Sequence, residues 1–166
     1  MINDIVRQKG HLTLGSRLKR IGERLQADVQ HLLNQRDIPI QSGQYPLLVA
    51  LAEHGPLAVG DIATALGVSQ PGITRSVIQL AKQNLVTIQR GKEDRRTKTV
   101  ALTPAGQTVV SVGRVHIWPQ IEASLGDILS GNTGSLIEQL DILEDALDQS
   151  SLPQRIAKGD KSGDNG

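Results

Sequence analysis

Between Gly60 and Leu102 the chain leaves little freedom of fold. A short helical segment, Gly60 to Leu66, runs into Gly67 and is followed by a second helical segment, Gln70 to Gln83. Two stretches rich in β-branched residues come next, Val86 to Arg90 and Thr97 to Leu102. Connections this short make consecutive elements neighbours in space. Two short helices across a tight turn are the geometry of a helix-turn-helix. Ile62, Ala63 and Leu66 can then pack on Ile73, Val77 and Leu80, with Gly67 at the turn. Ser69 reads as an N-cap, and Pro71 lies in the first turn, where a missing N–H costs little. Asn84 suits the left-handed position that closes a helix. The two β-branched stretches read as a hairpin around a charged loop from Gly91 to Arg96.

Helices flank this block. Leu14, Leu18, Ile21, Leu25, Val29, Leu32 and Leu33 recur at helical spacing and predict a helix over Leu12 to Gln35. Asp37 to Pro39 ends it, because proline forces its predecessor into extended geometry. A second helix, Ser42 to Glu53, is apolar almost all round and is expected to be buried. Leu57 to Val59 reads as a short strand. Thr103 and Pro104 start a helix that continues to about Leu129, with a kink or break expected at Pro119, which cannot donate to the carbonyl of Val115. After a turn over 130–134, Ser135 to Gln149 is a last helix, whose Leu136, Leu140, Leu143 and Leu147 repeat like a coiled-coil seam. The fold class is mostly α, with an α+β wing.

Charge is unevenly placed. The net charge is only +1, but seven cations lie between Arg75 and Lys98, opposed by Glu93 and Asp94 alone. From Thr103 to Leu152 the single cation Arg114 faces seven anions. A basic middle beside an acidic distal segment suits one surface that meets a polyanion and another that avoids it. The chain has no cysteine, so thiolate zinc sites, cysteine nucleophiles and disulfides are excluded. His11, His31, His54 and His116 lack metal-ligand spacing, so no metal or other cofactor is expected. With only Tyr45 and Trp118 as aromatics, single-strand binding by base stacking is disfavoured. No nucleophile–base pair or phosphate loop is visible, so the chain does not read as an enzyme. No apolar run is long enough for a membrane helix, and the first ten residues lack the apolar core of a secretory signal. A cytoplasmic location is expected.

The second helix of the helix-turn-helix would present Ser69, Gln70, Pro71, Thr74 and Arg75 on its outer N-terminal face, where a recognition helix meets base edges and phosphates. Arg75 can bond guanine through two N–H groups, Gln70 can read adenine, and Thr74 can touch a phosphate or a thymine methyl. The hairpin tip is a cationic prong able to lay a guanidinium into a narrow minor groove. Asp94 can orient Arg96 there, beside the basic neighbour Arg95.

Residues Leu57 to Ser69, Ile73 to Arg75, Asn84 to Val86, Glu93 to Arg96 and Leu102 to Gly106, in this order, resemble the multiple-antibiotic-resistance-regulator (MarR) family of winged helix-turn-helix proteins. The resemblance implies that Arg96 enters the minor groove, buttressed by Asp94. It also implies major-groove contacts from Ser69, Gln70, Thr74 and Arg75. Ala58, Gly72, Ile78 and Gln79 depart from common family choices.

The apolar seams at both chain ends exceed what one small module can cover, which points to a two-fold homodimer, as the family also implies. Residues 1–38 then read as an N-terminal dimerisation helix and 39–102 as the DNA-binding winged helix-turn-helix. Residues 103–150 read as C-terminal dimerisation helices and 151–166 as a disordered tail. Two-fold symmetry sets the recognition helices about 34 Å apart and calls for a pseudo-palindromic operator. The function expected is sequence-specific binding of double-stranded DNA by a transcriptional regulator, a repressor by family habit. Family members often answer to small aromatic anions, which makes Tyr45, His116 and Trp118 candidates for an effector site. The competing reading is a dimeric winged-helix module that binds protein and not DNA.

Overall fold

A computed structural model describes residues 3–90, 98–130 and 134–155. The chain divides into two compact units, one up to Gln120 and one from Ile121. No helix among the described residues is long and apolar enough to cross a membrane.

The first unit opens with α1 (Ile5–Gln8), one helical turn that periodicity cannot reveal. Asp4 caps it, accepting from Arg7 N–H at 3.1 Å, and pairs with Arg20 at 3.0 Å. The Arg7 amide and Arg20 hold the Asp4 carboxyl below its ordinary range, against the opposing effect of burial. A 3₁₀ turn leads into α2 (Leu14–Asn34), slightly shorter than the expected helix. The helix stops where Asp37 takes a φ of 54°, two residues before Pro39. A connector ending in a second 3₁₀ turn, Ser42–Gln44, precedes α3 (Tyr45–His54). Leu47, Leu48, Ala50 and Leu51 bury α3 as its all-round apolar pattern requires.

Next come β1 (Leu57–Ala58), α4 (Val59–Ala65), α5 (Gln70–Lys82), β2 (Val86–Arg90) and β3 (Lys98–Leu102). The sheet order is β1-β3-β2, and both pairings are antiparallel. Leu57 lies opposite Val100 in one ladder, and Val86 lies opposite Leu102 in the other. Gly67 and Asn84 take φ values of 61° and 58°, so the helix-turn-helix and the entry to the hairpin close as the sequence reads. The fold is a winged helix-turn-helix in a mostly helical chain.

α6 (Pro104–His116) packs on α3. The expected discontinuity appears at Ile117, and α7 (Trp118–Leu129) begins just beyond it. Pro119 removes the donor that would have carried α6 through. Leu33, Leu48, Ile62, Leu80 and Val100 are fully inaccessible, so α2 to α5 and β3 share one core.

Thr103 ties this block together. Its Oγ1 donates to Asn84 O at 2.6 Å and accepts from Gly106 N–H at 3.1 Å. It thus caps α6 and pins the turn that ends α5. Thr103→Ala is expected to cost about 1–2 kcal/mol of unfolding free energy, read as a lowered urea midpoint.

In the second unit the described residues include the rest of α7, α8 (Leu136–Gln149) and a helical turn at 152–155 within the segment expected to be a disordered tail. Ser135 caps α8 by accepting from Glu138 N–H at 3.3 Å. Of the seam residues, Leu140 and Leu143 are half-buried, whereas Leu136 and Leu147 are exposed. Leu18, Ile21 and Leu25 of α2 in the first unit are exposed as well.

Candidate nucleic-acid interface

α5 is two-sided. Ile73, Val77 and Leu80 are at most 4% exposed and hold the helix against α4 and β2. Ser69, Gln70, Pro71, Thr74 and Arg75 are all exposed. They stand on one outward surface, because residues separated by three or four positions share a helix face. Ser69 has the extended backbone of an N-cap, with φ −67° and ψ 138°. Its hydroxyl makes no capping bond, however, and here the structure corrects the expected cap. The Ser69 carbonyl receives Gly72 N–H at 2.9 Å and Ile73 N–H at 3.1 Å, so the helix start is satisfied through the backbone. The hydroxyl is left for another partner.

Thr74 Oγ1 donates to Gln70 O at 3.0 Å. This bond fixes the rotor and leaves oxygen lone pairs outside to accept a bond. Arg75 lies beside Thr74, and exposed Ile78 continues the same face one turn further. Lys82 adds an exposed charge at the last turn of α5. Polar and cationic chemistry at the start of α5 therefore gives way to an apolar contact point at Ile78.

The strands β2 and β3 meet with Arg90 opposite Lys98. The connection between them carries Asp94, Arg95 and Arg96, which lie outside the described residues. The stem is anchored by Val86 and Val100, at 3% and 0% exposure, and exposed Lys98 places a charge at its far end.

A cavity of about 480 Å³ lies between α3, α4 and the start of α7. Tyr45, Val49, His54, Leu66 and Trp118 contribute to its wall. Tyr45 and Trp118 meet edge to face, with ring centroids 5.8 Å apart and planes at 81°. The Arg114 guanidinium sits 5.3 Å from the Trp118 ring centre, a cation–π distance. Tyr45 is 8% exposed, and its hydroxyl has no hydrogen-bond partner among the described residues. Burial raises the phenol above its ordinary pKa, opposed by the neighbouring Trp118 side chain and the charge of Arg114.

His116 does not line this cavity. It is exposed, and its carbonyl accepts from Arg36 Nη2 at 3.3 Å. Gly113 and Ile117 form the buried face here, and position 116 is turned away from Ile117 by roughly 100°. Sequence reading also missed Arg114, whose role depends on the distant placement of Tyr45. It missed Gln44 as well, a polar residue in an apolar stretch that is buried at 5% exposure and bonded to Gln79 of α5.

A model of the MarR family matches residues 36–97. Over 93 residues the chain is 28% identical to YpoP of Bacillus subtilis, an uncharacterized HTH-type transcriptional regulator. That match spans 56% of this chain and 64% of the relative, so the chain covers less than two thirds of its length. Among solved structures, MepR of Staphylococcus aureus in complex with DNA is 22% identical with a TM-score of 0.66, over 86% of this chain and 97% of that one. BpsR of Bordetella bronchiseptica, whose DNA binding is regulated by 6-hydroxynicotinic acid, is 23% identical with a TM-score of 0.56, over 82% and 97%. At these identities the structural likenesses establish the fold.

Proposed function

We propose that this chain, which carries the MarR-family winged helix-turn-helix over residues 36–97, is a transcriptional regulator that binds duplex DNA. The observation that carries the reading is the division of α5. One face is consumed by the core, while the other presents Ser69, Gln70, Thr74 and Arg75 without structural duty beyond the helix start. In this reading Arg75 bonds guanine or a phosphate, Gln70 reads a base edge, and Ser69 and Thr74 hold the backbone. Pro71 keeps the first turn rigid. Arg96, oriented by Asp94 and accompanied by Arg95, enters the minor groove from the hairpin tip.

The protein acts as a homodimer in the cytoplasm. A second copy covers the apolar rows left open on α2 and α8, and a palindromic operator follows from the two-fold axis. The default role is repression, relieved by a small aromatic anion in the Tyr45–Trp118 cavity. Two features support that class of effector: the aromatic Tyr45–Trp118 pair on the wall and the Arg114 cation against the indole. A ligand seated there would touch Leu66, at the end of the first helix of the helix-turn-helix. The reported regulation of BpsR by a pyridine acid is consistent with that chemistry.

The test is selection of bound sequences from a random duplex pool, followed by affinities as a function of salt. Binding should weaken steeply as salt rises. Arg75→Ala should cost about 1–3 kcal/mol of specific affinity and relax the preference at one base pair. Arg96→Ala should weaken binding several-fold. Unchanged binding by both variants would remove this surface from the reading.

A further inference from the structure

We propose that Gln44 is a positioning residue for the recognition surface. It is the centre of a neutral amide brace that fixes the rotation of α5, and the proposal rests on the DNA-binding reading above. Gln44 is the one buried amide side chain among the described residues. A buried amide costs free energy unless its groups are bonded, so an apolar residue is the default occupant of such a site. Here both ends are engaged. Oε1 accepts from Gln41 N–H at 3.0 Å, and Nε2 donates to Gln79 Oε1 at 2.7 Å.

Gln79 has an ally one turn further on: Gln83, the C-cap of α5, donates through Nε2 to the carbonyl of Pro39. On the opposite side, Gln30 of α2 grips the same connector. Its Oε1 accepts from Ser42 N–H at 2.7 Å, and its Nε2 donates to Ile40 O at 3.0 Å. The segment 39–44 is therefore held from α2 by one glutamine and from α5 and its C-cap by two. Apolar packing of Ile73, Val77 and Leu80 resists separation of α5 from the core, but it is nondirectional. The buried stripe sets the rotation of α5 coarsely, and two hydrogen bonds one helical turn apart narrow it, because each has a preferred distance and angle.

That rotation matters for reading bases. At a side-chain radius of about 5–6 Å, a turn of about 20° moves a side-chain tip by about 2 Å. A preorganised site tolerates only about 0.5 Å. Base-edge bonds from Gln70 and Arg75 should suffer, whereas sequence-independent attraction to phosphates is forgiving of such a shift. Gln44 itself is buried and faces away from the outer surface, so its effect must pass through Gln79.

The experiment compares the best duplex from the selection with a scrambled duplex of equal length and composition, by fluorescence anisotropy on the full chain. Gln44→Met is expected to shrink the ratio of the two affinities at least fivefold while leaving the scrambled duplex unchanged. Gln79→Met should do the same, and the double variant should be no worse than either. Gln79→Glu keeps the acceptor for Gln44 Nε2; its added charge should weaken both duplexes alike and preserve the ratio. A purely stabilising role would lower the folded fraction and so reduce both affinities together. That result, an unchanged ratio, or additive losses in the double variant would overturn the proposal. Should Gln44→Met fail to fold, Gln79→Met and Gln79→Glu carry the test from the exposed side. A wild-type chain that discriminates no duplex would bring down the DNA-binding reading first, and the brace with it.

Discussion

Gly113→Ala is expected to lower the unfolding free energy by about 3 kcal/mol, at the upper end of overpacking costs. A Cβ at this position would stand 1.4 Å from Tyr45 Oη and 2.4 Å from its Cζ. The phenol cannot swing aside cheaply, because its ring is locked edge to face against Trp118 in a buried position. Tyr45→Phe in the same background removes the nearest clash but leaves the ring carbon, so recovery should be partial. Tyr45→Phe alone should raise stability by about 1 kcal/mol, since it deletes a buried hydroxyl without a hydrogen-bond partner. Urea unfolding of the four variants forms a double-mutant cycle. A cycle without coupling would mean that Tyr45 does not fill the space left by Gly113.

Gly106→Ala is expected to be at least as damaging and beyond rescue by a partner substitution. The added Cβ would lie 2.0 Å from the backbone oxygen of Leu85 and 3.0 Å from Leu102 Cδ2. Trimming Leu102 cannot help, because the closest atom belongs to the main chain. The same Leu85 carbonyl receives Thr103 N–H at 3.1 Å, so moving it breaks a bond as well. Gly106 is what lets the start of α6 touch the exit of α5. A loss of about 3 kcal/mol, unrelieved by Leu102→Ala, is the predicted result. An alanine variant that melts like the parent would contradict the close approach.

Some of this was plain in the sequence and some was hidden, for identifiable reasons. Gly67, Pro71, Asn84, Thr103 and Pro119 act through backbone geometry within a few residues of themselves, and each marks its turn, cap or break in the structure where local rules put it. Ser69 shows the limit of such rules: its backbone is that of a cap, but Gly72 and Ile73 are satisfied by its carbonyl instead of its hydroxyl. The outward set on α5 was readable because helical periodicity separates it from Ile73, Val77 and Leu80. The cavity was only half readable. Tyr45 and Trp118 meet there, but His116, named with them as an effector-site candidate, is turned outward next to the break at Ile117. Long-range pairs left no local signal. Gln44 to Gln79 spans 35 positions, and no periodicity distinguishes a glutamine bound for the core from one bound for solvent.

The chain's poverty in aromatics has a practical consequence. It contains one tryptophan, one tyrosine and no phenylalanine. Both chromophores stand on the wall of the same cavity, 5.8 Å apart. Ultraviolet emission from this protein therefore comes from a single place. Excitation absorbed by Tyr45 passes to Trp118 at that separation, and the indole reports the state of one small volume between α3, α4 and α7. An effector entering the cavity, a melt of the first unit and a displacement of Arg114 from the indole face would each alter one unmixed signal. The molecule is its own optical sensor, with no label to attach.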